Sequence, residues 1–555
     1  MLRSTLVAVL LMGLLTPAAA QDAPTFTRAD TLRGAFTTHG RVWWDVTFYD
    51  LHVAIDPADS SIQGSTGIGY RVLQPGQVMQ IDLMEPLAID SMVQDGRPVE
   101  FAREGSAFFA TFDEALPAGA NKTLTVYFGG KPHVAVRPPW DGGFTWASDS
   151  LGRPFVATSV QGVGASIWWP NKDTQADEPD SQRVAITVPD PMINVSNGRL
   201  RSKTSNGDGT TTYEWFVVNP INNYVVAVNA GSYEHFSEVY QGEKGELTLD
   251  YWPLDYNLEV AKRQFVQVVS TIKCFEHWFG PYPWYEDGFQ IVEVPYLGME
   301  HQSAIAYGNP YTNGYRGMDL SGTGLGLEWD FIIVHEIAHE WWGNNITTKD
   351  LADMWVHESF GNYSENLYTE CLFDKEAGAR YVIGTRRGIR NDRPVIPPYN
   401  VNAQGSGDMY PKGGNMLHTI RQIVNDDEEW RGVLRGLNET FRHQTVMGWQ
   451  IEEYMIERTG VDLTKIFDQY LRTVMIPELQ YRIENGMLHY RWANVVPGFA
   501  MQVGVTLTDS GYTVIHPTEE WQSAALELSD PSGFTVDENY YVTARDVGAE
   551  EGDGG

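Results

Sequence analysis

The sequence predicts a multidomain α+β chain. An antiparallel β domain of sandwich or saddle type comes first, a mostly helical domain follows, and a small β-sandwich-like domain closes the chain. Three observations predict it. With 555 residues, 42% of them hydrophobic, the chain can bury several cores. Its hydrophobic period changes from two to helical near residue 255 and returns to two near residue 478. Asp95-Gly96, Asn197-Gly198 and Asn206-Gly207 supply hairpin-type turns between the alternating runs of the first region.

Residues 1–20 stand apart from these regions. Arg3, an apolar run over 6–15 and Ala18-Ala19-Ala20 have the charged, hydrophobic and small-residue parts of a secretory leader. The protein is therefore expected to be exported, to the periplasm or beyond. No later stretch offers eighteen uninterrupted apolar residues, so no stable membrane insertion is expected.

Residues 21–254 form the first β domain. Val42-Trp43-Trp44-Asp45-Val46-Thr47-Phe48 and Lys122-Thr123-Leu124-Thr125-Val126-Tyr127-Phe128 are typical of its short alternating runs. Residues 255–477 form the helical domain. It opens with a helical pattern over 258–279 that Gly280-Pro281 stops, is interrupted by a strand-like segment over 288–307, and becomes helical again from about 412 to 474. Alternation returns in 478–548, as in Met487-Leu488-His489-Tyr490-Arg491-Trp492, and 549–555 is an acidic, glycine-rich tail.

Charge narrows the function. The formal net charge is −33, from 72 acidic and 39 basic residues, and only eleven of the basic residues are lysines. Phosphate backbones need a basic surface, so nucleic acid is excluded as a partner. The same balance suits either a high-salt environment or ordinary acidic solubility. Cys274 and Cys371 can pair or remain buried thiols; a scaffold built on disulfides is excluded.

The chemistry lies in His335-Glu336-Ile337-Ala338-His339, followed nineteen residues later by Glu358. On a helix, positions i and i+4 share a face, so the two imidazoles can meet one ion. Zinc takes imidazole and carboxylate, and a catalytic site keeps one position open beyond three protein ligands. Glu336 sits about 100° around the helix from His335, beside the metal rather than on it, where a base for the attacking water belongs. Trp329 to Val334 lead in as a buried, helix-compatible run, and Gly343-Asn344 form a stop signal. One Zn2+ per chain is expected, held by His335, His339 and Glu358. For the same helical reason His357 should point away from the metal, and His301 is not needed as a fourth ligand.

These residues resemble the signature of M1 aminopeptidases, HExxH, eighteen residues, then Glu. Leu297-Gly298-Met299-Glu300-His301 is similar to that family's GxMEN motif, with Leu297 and His301 departing from it. Tyr410-Pro411-Lys412-Gly413 is similar to its Tyr-x-Lys-Gly segment, and residues 161–173 to the segment that carries an amine-anchoring Gln or Glu. The resemblance implies a thermolysin-like fold for 255–477 and removal of N-terminal residues from peptides that have a free amine. It further implies Tyr410 at the oxyanion, Glu300 as anchor of the α-amine, Gln161 assisting as an acceptor, and Gly298 and Met299 along the substrate. Larger relatives carry a long helical C-terminal domain for which this chain has no room. A zinc endopeptidase on the same fold, and a zinc-bound scaffold without catalysis, are the competing expectations.

Overall fold

The computed structural model describes residues 25–548. The leader read at 1–20 and the tail read at 549–555 lie outside the described residues. Among those described, no helix is long and apolar enough to cross a membrane.

The first region is built on an eight-stranded sheet. Its order is Arg199–Ser205, Thr210–Val217, Ser181–Pro189, Trp44–Asp56, Ser61–Val72, Asn121–Gly130, Ala88–Gln94 and Arg97–Pro98. All neighbours are antiparallel except Trp44–Asp56 and Ser181–Pro189, which run parallel. Trp44 and Val46 are buried on one phase of the alternation and Tyr49, Leu51, Val53 and Ile55 on the other. A register shift between Val46 and Phe48 is the cause, since one extra residue turns the following side chains to the opposite face. Two smaller sheets accompany this one, of four strands (Gly143–Ser148, Pro154–Ser159, Ile193–Val195, Asn229–Gly231) and three (Gly76–Asp82, Glu100–Glu104, Ala107–Leu116).

Of the three turn dipeptides, Asp95-Gly96 and Asn206-Gly207 join paired antiparallel strands. Asn197-Gly198 does not. It links Ile193–Val195 of the four-stranded sheet to Arg199–Ser205 of the eight-stranded one. The Asn197 side chain is buried, donates to the carbonyls of Val225 and Gln302, and accepts from the amide of Ala227. A buried amide that satisfies three backbone groups fixes a crossing between sheets as effectively as a turn dipeptide fixes a hairpin.

A five-stranded sheet then carries the chain into the helices, in the order Phe236–Gly242, Gly245–Trp252, Phe289–Glu293, Ile305–Tyr307, Gly298–Met299. It runs across the change of period at 254/255, because alternation reveals a strand's two faces and not its neighbours. Leu247, Leu249 and Tyr251 are buried in the same core as the helices.

The helical pattern over 258–279 forms two helices, Leu258–Gln264 and α1 (Gln267–Phe279), which stops at Gly280 with φ 95°. Next come α2 (Phe331–Ala338), α3 (Trp355–Leu372), α4 (Lys375–Thr385) and α5 (Pro411–Val424), then Asp427–Thr440, Gly448–Thr459 and Thr464–Arg472. A disulfide between Cys274 on α1 and Cys371 on α3, with Cα atoms 6.1 Å apart, ties two of these helices together. The final region pairs Gln522–Ala525, Met487–Ala493, Glu478–Glu484 and Thr543–Asp546 in one sheet and Val503–Thr508 with Gly511–Ile515 in another. Its apolar residues, Leu479, Leu488 and Trp492 among them, continue the helical core.

Candidate active site

Helix α2 begins at Asp330, whose carboxylate accepts the amides of Ile332 and Ile333, two of the donors a helix start leaves unpaired. The same carboxylate accepts from Tyr307, Gln264 and Asn309, which fixes the helix start against the five-stranded sheet. His339 follows the last α2 residue with φ −65° and ψ −17°, so the backbone keeps its helical course and the i, i+4 face is preserved. Glu358 lies in the first turn of α3. A Cβ on Gly361 would lie 3.2 Å from His339 Cε1, so glycine there lets α3 close on the imidazole.

Three ligand atoms converge. His335 Nε2 and His339 Nε2 are 3.3 Å apart, and Glu358 Oε2 lies 3.3 Å from His339 Nε2 and 3.7 Å from His335 Nε2. The opposite nitrogens are occupied: His339 Nδ1 donates to the carbonyl of Trp342 at 2.8 Å, and His335 Nδ1 to Glu365 Oε1 at 3.0 Å. These bonds set both tautomers and turn both Nε2 lone pairs toward one point. Glu358 Oε2 is buried there with no hydrogen-bond partner, a costly position for a lone carboxylate oxygen. Two imidazoles and a carboxylate with an unsatisfied oxygen fit a zinc ion.

The electrostatics agree. Burial alone would raise the Glu358 carboxyl, but the imidazoles of His339 and His335 hold it well below the usual range, so it remains an anion. Burial would lower the His339 imidazole, and Glu358 instead lifts it to about 9, so a zinc ion at His339 Nε2 would displace the proton that Glu358 otherwise holds there. Burial pushes Glu336 up to about 7 and raises Glu300 as well.

All nine residues singled out in the sequence line one cavity of about 1030 Å³. Gly298 is required by close approach, since a Cβ there would stand 2.7 Å from Ile332 Cγ2 and 2.9 Å from Glu336 Oε1. Met299 follows it on the same short strand and is buried. Glu300 is buried, and Gln161, brought by the loop after Pro154–Ser159, donates from Nε2 to Glu300 Oε1 at 2.7 Å and to Glu358 Oε1 at 2.6 Å. Its amide nitrogen thus serves two buried carboxylates, which need donors. The Tyr410 ring centroid lies 5.9 Å from that of His335; burial and then the carboxylates of Glu358 and Glu300 keep its phenol protonated.

His357 and His301, the histidines nearest the motif residues in the sequence, lie outside the ligand set. His357 Nε2 accepts from the amide of Thr348 at 2.9 Å, and burial pushes its imidazole down to about 3. His301 is buried, held neutral in the same way at about 3, and absent from the three-residue cluster.

Glu365 escaped the sequence reading. Besides accepting from His335 it accepts from Tyr381 at 2.8 Å and from Asn362 at 3.2 Å, so it orients a ligand from behind. The available signal was its place seven residues after Glu358, two turns along the same helix face.

Residues 264–470 match the model of the peptidase family M1 domain. Aminopeptidase B of Mus musculus is 23% identical over 346 residues, 58% of this chain and 50% of that one. Leukotriene A-4 hydrolase of Xenopus laevis is 21% identical over 470 residues, 79% of this chain and 73% of that one. The chain thus spans about half the length of aminopeptidase B. Among solved structures, the M1 zinc metallopeptidase of Deinococcus radiodurans superposes with a TM-score of 0.67 at 18% identity, covering 80% of this chain and 98% of that one. A mutant of that protein bound to a Tyr-Ser-Ala substrate superposes equally, again with a TM-score of 0.67. The matched domain and the donor set agree on zinc as the cofactor, and residues 264–470 are similar to the peptidase family M1 domain.

Proposed function

We propose that this protein is an exported zinc aminopeptidase that removes residues from the N-termini of peptides. The observation that carries the reading is the pair of hydrogen bonds from Gln161 to Glu300 and to the metal ligand Glu358, at 2.7 and 2.6 Å. They put a buried carboxylate, in need of a cationic donor, one amide group away from the metal position. A peptide ammonium that takes up that donor role sets the first peptide bond over the reactive centre. The leader read at 1–20 and the Cys274–Cys371 disulfide favour an oxidising compartment.

His335, His339 and Glu358 would hold the zinc, which when bound would supply a Lewis acid for the attacking water and the scissile carbonyl. The protein's side chains do the rest. Glu336 accepts the proton of the attacking water on its carboxylate and returns it to the departing amine nitrogen. The Tyr410 hydroxyl donates to the oxyanion that develops on the scissile carbonyl. Glu300 fixes the α-ammonium, and Gly298, by its lack of a side chain, leaves room for Glu336. The aminopeptidases among the sequence relatives and the Tyr-Ser-Ala complex of the structural relative support a peptide substrate.

The test compares a peptide of ten to fifteen residues with its N-acetylated twin, with products followed by mass. Leaving Glu300 without its cationic partner costs roughly 2–5 kcal/mol, so the twin should react about 30- to 5000-fold more slowly. Sequential loss from the free N-terminus, and none from the twin, is expected. Internal cleavage of both at similar rates would make the protein an endopeptidase.

A further inference from the structure

In a chain with 72 acidic and 39 basic residues, Arg386-Arg387-Gly388-Ile389-Arg390-Asn391-Asp392-Arg393 places four arginines within eight positions. Arg386 turns inward, donates to Asn415 Oδ1 at 2.6 Å and lies 5.2 Å from the ring centre of Tyr541. The other three line the same cavity as the metal ligands. None of them forms an ion pair with a carboxylate among the described residues, and Arg390 is exposed with no side-chain hydrogen bond there either.

The strip is fixed in place. The amides of Arg390 and Asn391 donate to Asp408 at 2.9 and 2.6 Å, and Ser406 Oγ donates to Asp392 at 2.5 Å. Arg393 Nη2 donates to the carbonyl of Gly405 at 3.0 Å, and Arg387 Nε to that of Leu320, also at 3.0 Å. Asp408 precedes Tyr410 by two residues, so the arginines are registered on the segment that carries the phenol. The cavity therefore carries opposite charges at two places on its wall. Buried carboxylates of Glu300, Glu336 and Glu358 cluster at the metal position, while guanidiniums with free donors stand at the rim.

We propose that Arg390, with Arg387 and Arg393, binds a carboxylate of the peptide downstream of the cleaved bond. The inference rests on the aminopeptidase reading and names the substrate class for it: peptides with an ammonium at one end and an anionic group a few residues on. Guanidinium forks match carboxylates in charge and in geometry, and among the described residues no acidic side chain pairs with these. The carboxylate has two sources, the C-terminus of a short peptide or an acidic side chain.

The experiment measures kcat/KM for Leu-Ala-Ala as the free acid, the same tripeptide as its amide, and Leu-Ala-Glu as its amide. The parent is compared with Arg390→Gln, Arg390→Lys and the triple variant that adds Arg387→Gln and Arg393→Gln. The parent should prefer at least one carboxylate-bearing substrate over the uncharged amide by about tenfold. Which of the two is preferred identifies the source. The preference should fall below about threefold in Arg390→Gln, survive in part in Arg390→Lys, and shrink as NaCl screens the pair. A ratio within one protein is unaffected by losses of folding or zinc content that scale all rates alike. Equal rates on all three substrates in the parent, or an undiminished preference in the triple variant, would overturn the proposal. Failure of the aminopeptidase reading looks different: zinc-loaded parent would release leucine from none of the three, and both proposals would fall together.

Discussion

The β region before the helices and the β region after them both pack on the catalytic helices, yet only the first reaches the cavity. From the first come Pro139, Trp140 and Gln161, and the five-stranded sheet that follows adds Gly298 and Met299, with Glu300 next along the chain. Among the described residues, none that lines the cavity lies beyond Pro411. The last region instead supports the helices from behind. Asn539 accepts from His418 at 3.0 Å, the amide of Tyr541 donates to Thr419 Oγ1 at 2.9 Å, and the Tyr541 carbonyl accepts from Tyr470 at 2.5 Å. Similar alternation in the sequence thus serves two ends: one β region lines the cavity, and the other stabilises the helix that follows Tyr410.

The sharpest contrast is between Leu488 and Gln161. Leu488→Ala empties a fully buried position of the last region and should destabilise the protein by roughly 2–5 kcal/mol in urea unfolding. Its kcat, per folded and zinc-loaded protein, should stay within about twofold of the parent. Gln161→Ala should behave in the opposite way. It removes hydrogen bonds to two buried carboxylates and should lower kcat/KM by about 10- to 100-fold, mainly through KM, with a much smaller change in melting temperature. A catalytic defect in Leu488→Ala, or an unaltered KM in Gln161→Ala, would break the division of roles.

A smaller effect concerns pH. Burial pushes the His418 imidazole, which faces the last region through Asn539, down to about 3. An unfolded imidazole titrates near 6.5, so between these values the unfolded chain takes a proton that the folded one refuses. Stability from this group is present above about pH 6.5 and is lost as pH falls through the window. The difference in unfolding free energy between parent and His418→Gln should therefore shift against the parent by up to about 1.4 kcal/mol per pH unit on acidification from 6.5 to 4. A pH-independent difference would mean that His418 is protonated in the folded protein.

What the sequence made legible follows from how local the signal is. His335, Glu336, His339 and Glu358 declare themselves because helix geometry turns spacing into a shared face. Gln161 lies 139 residues from Glu300, and only its resemblance to a known segment pointed to it. Glu365 was in view at a helical spacing, but a carboxylate that acts through a histidine has no motif of its own. The run from Arg386 to Arg393 was equally visible, yet nothing in its composition says that three guanidiniums face the cavity. Cys274 and Cys371 remained undecided because their pairing depends on how closely α1 and α3 pack, which no spacing along the chain encodes.

The central claim is that the convergence of α2 and α3 forms a hydrolytic zinc centre in which Glu336 is the base and not a ligand. Glu336→Gln keeps the size of the side chain and leaves His335, His339 and Glu358 in place. Zinc content by elemental analysis and kcat on a free-amine peptide should be measured on the same sample. The account predicts about one zinc per chain, as in the parent, with kcat reduced by at least ~10³-fold. Near-parental activity at full zinc occupancy, or loss of zinc together with activity, would contradict it.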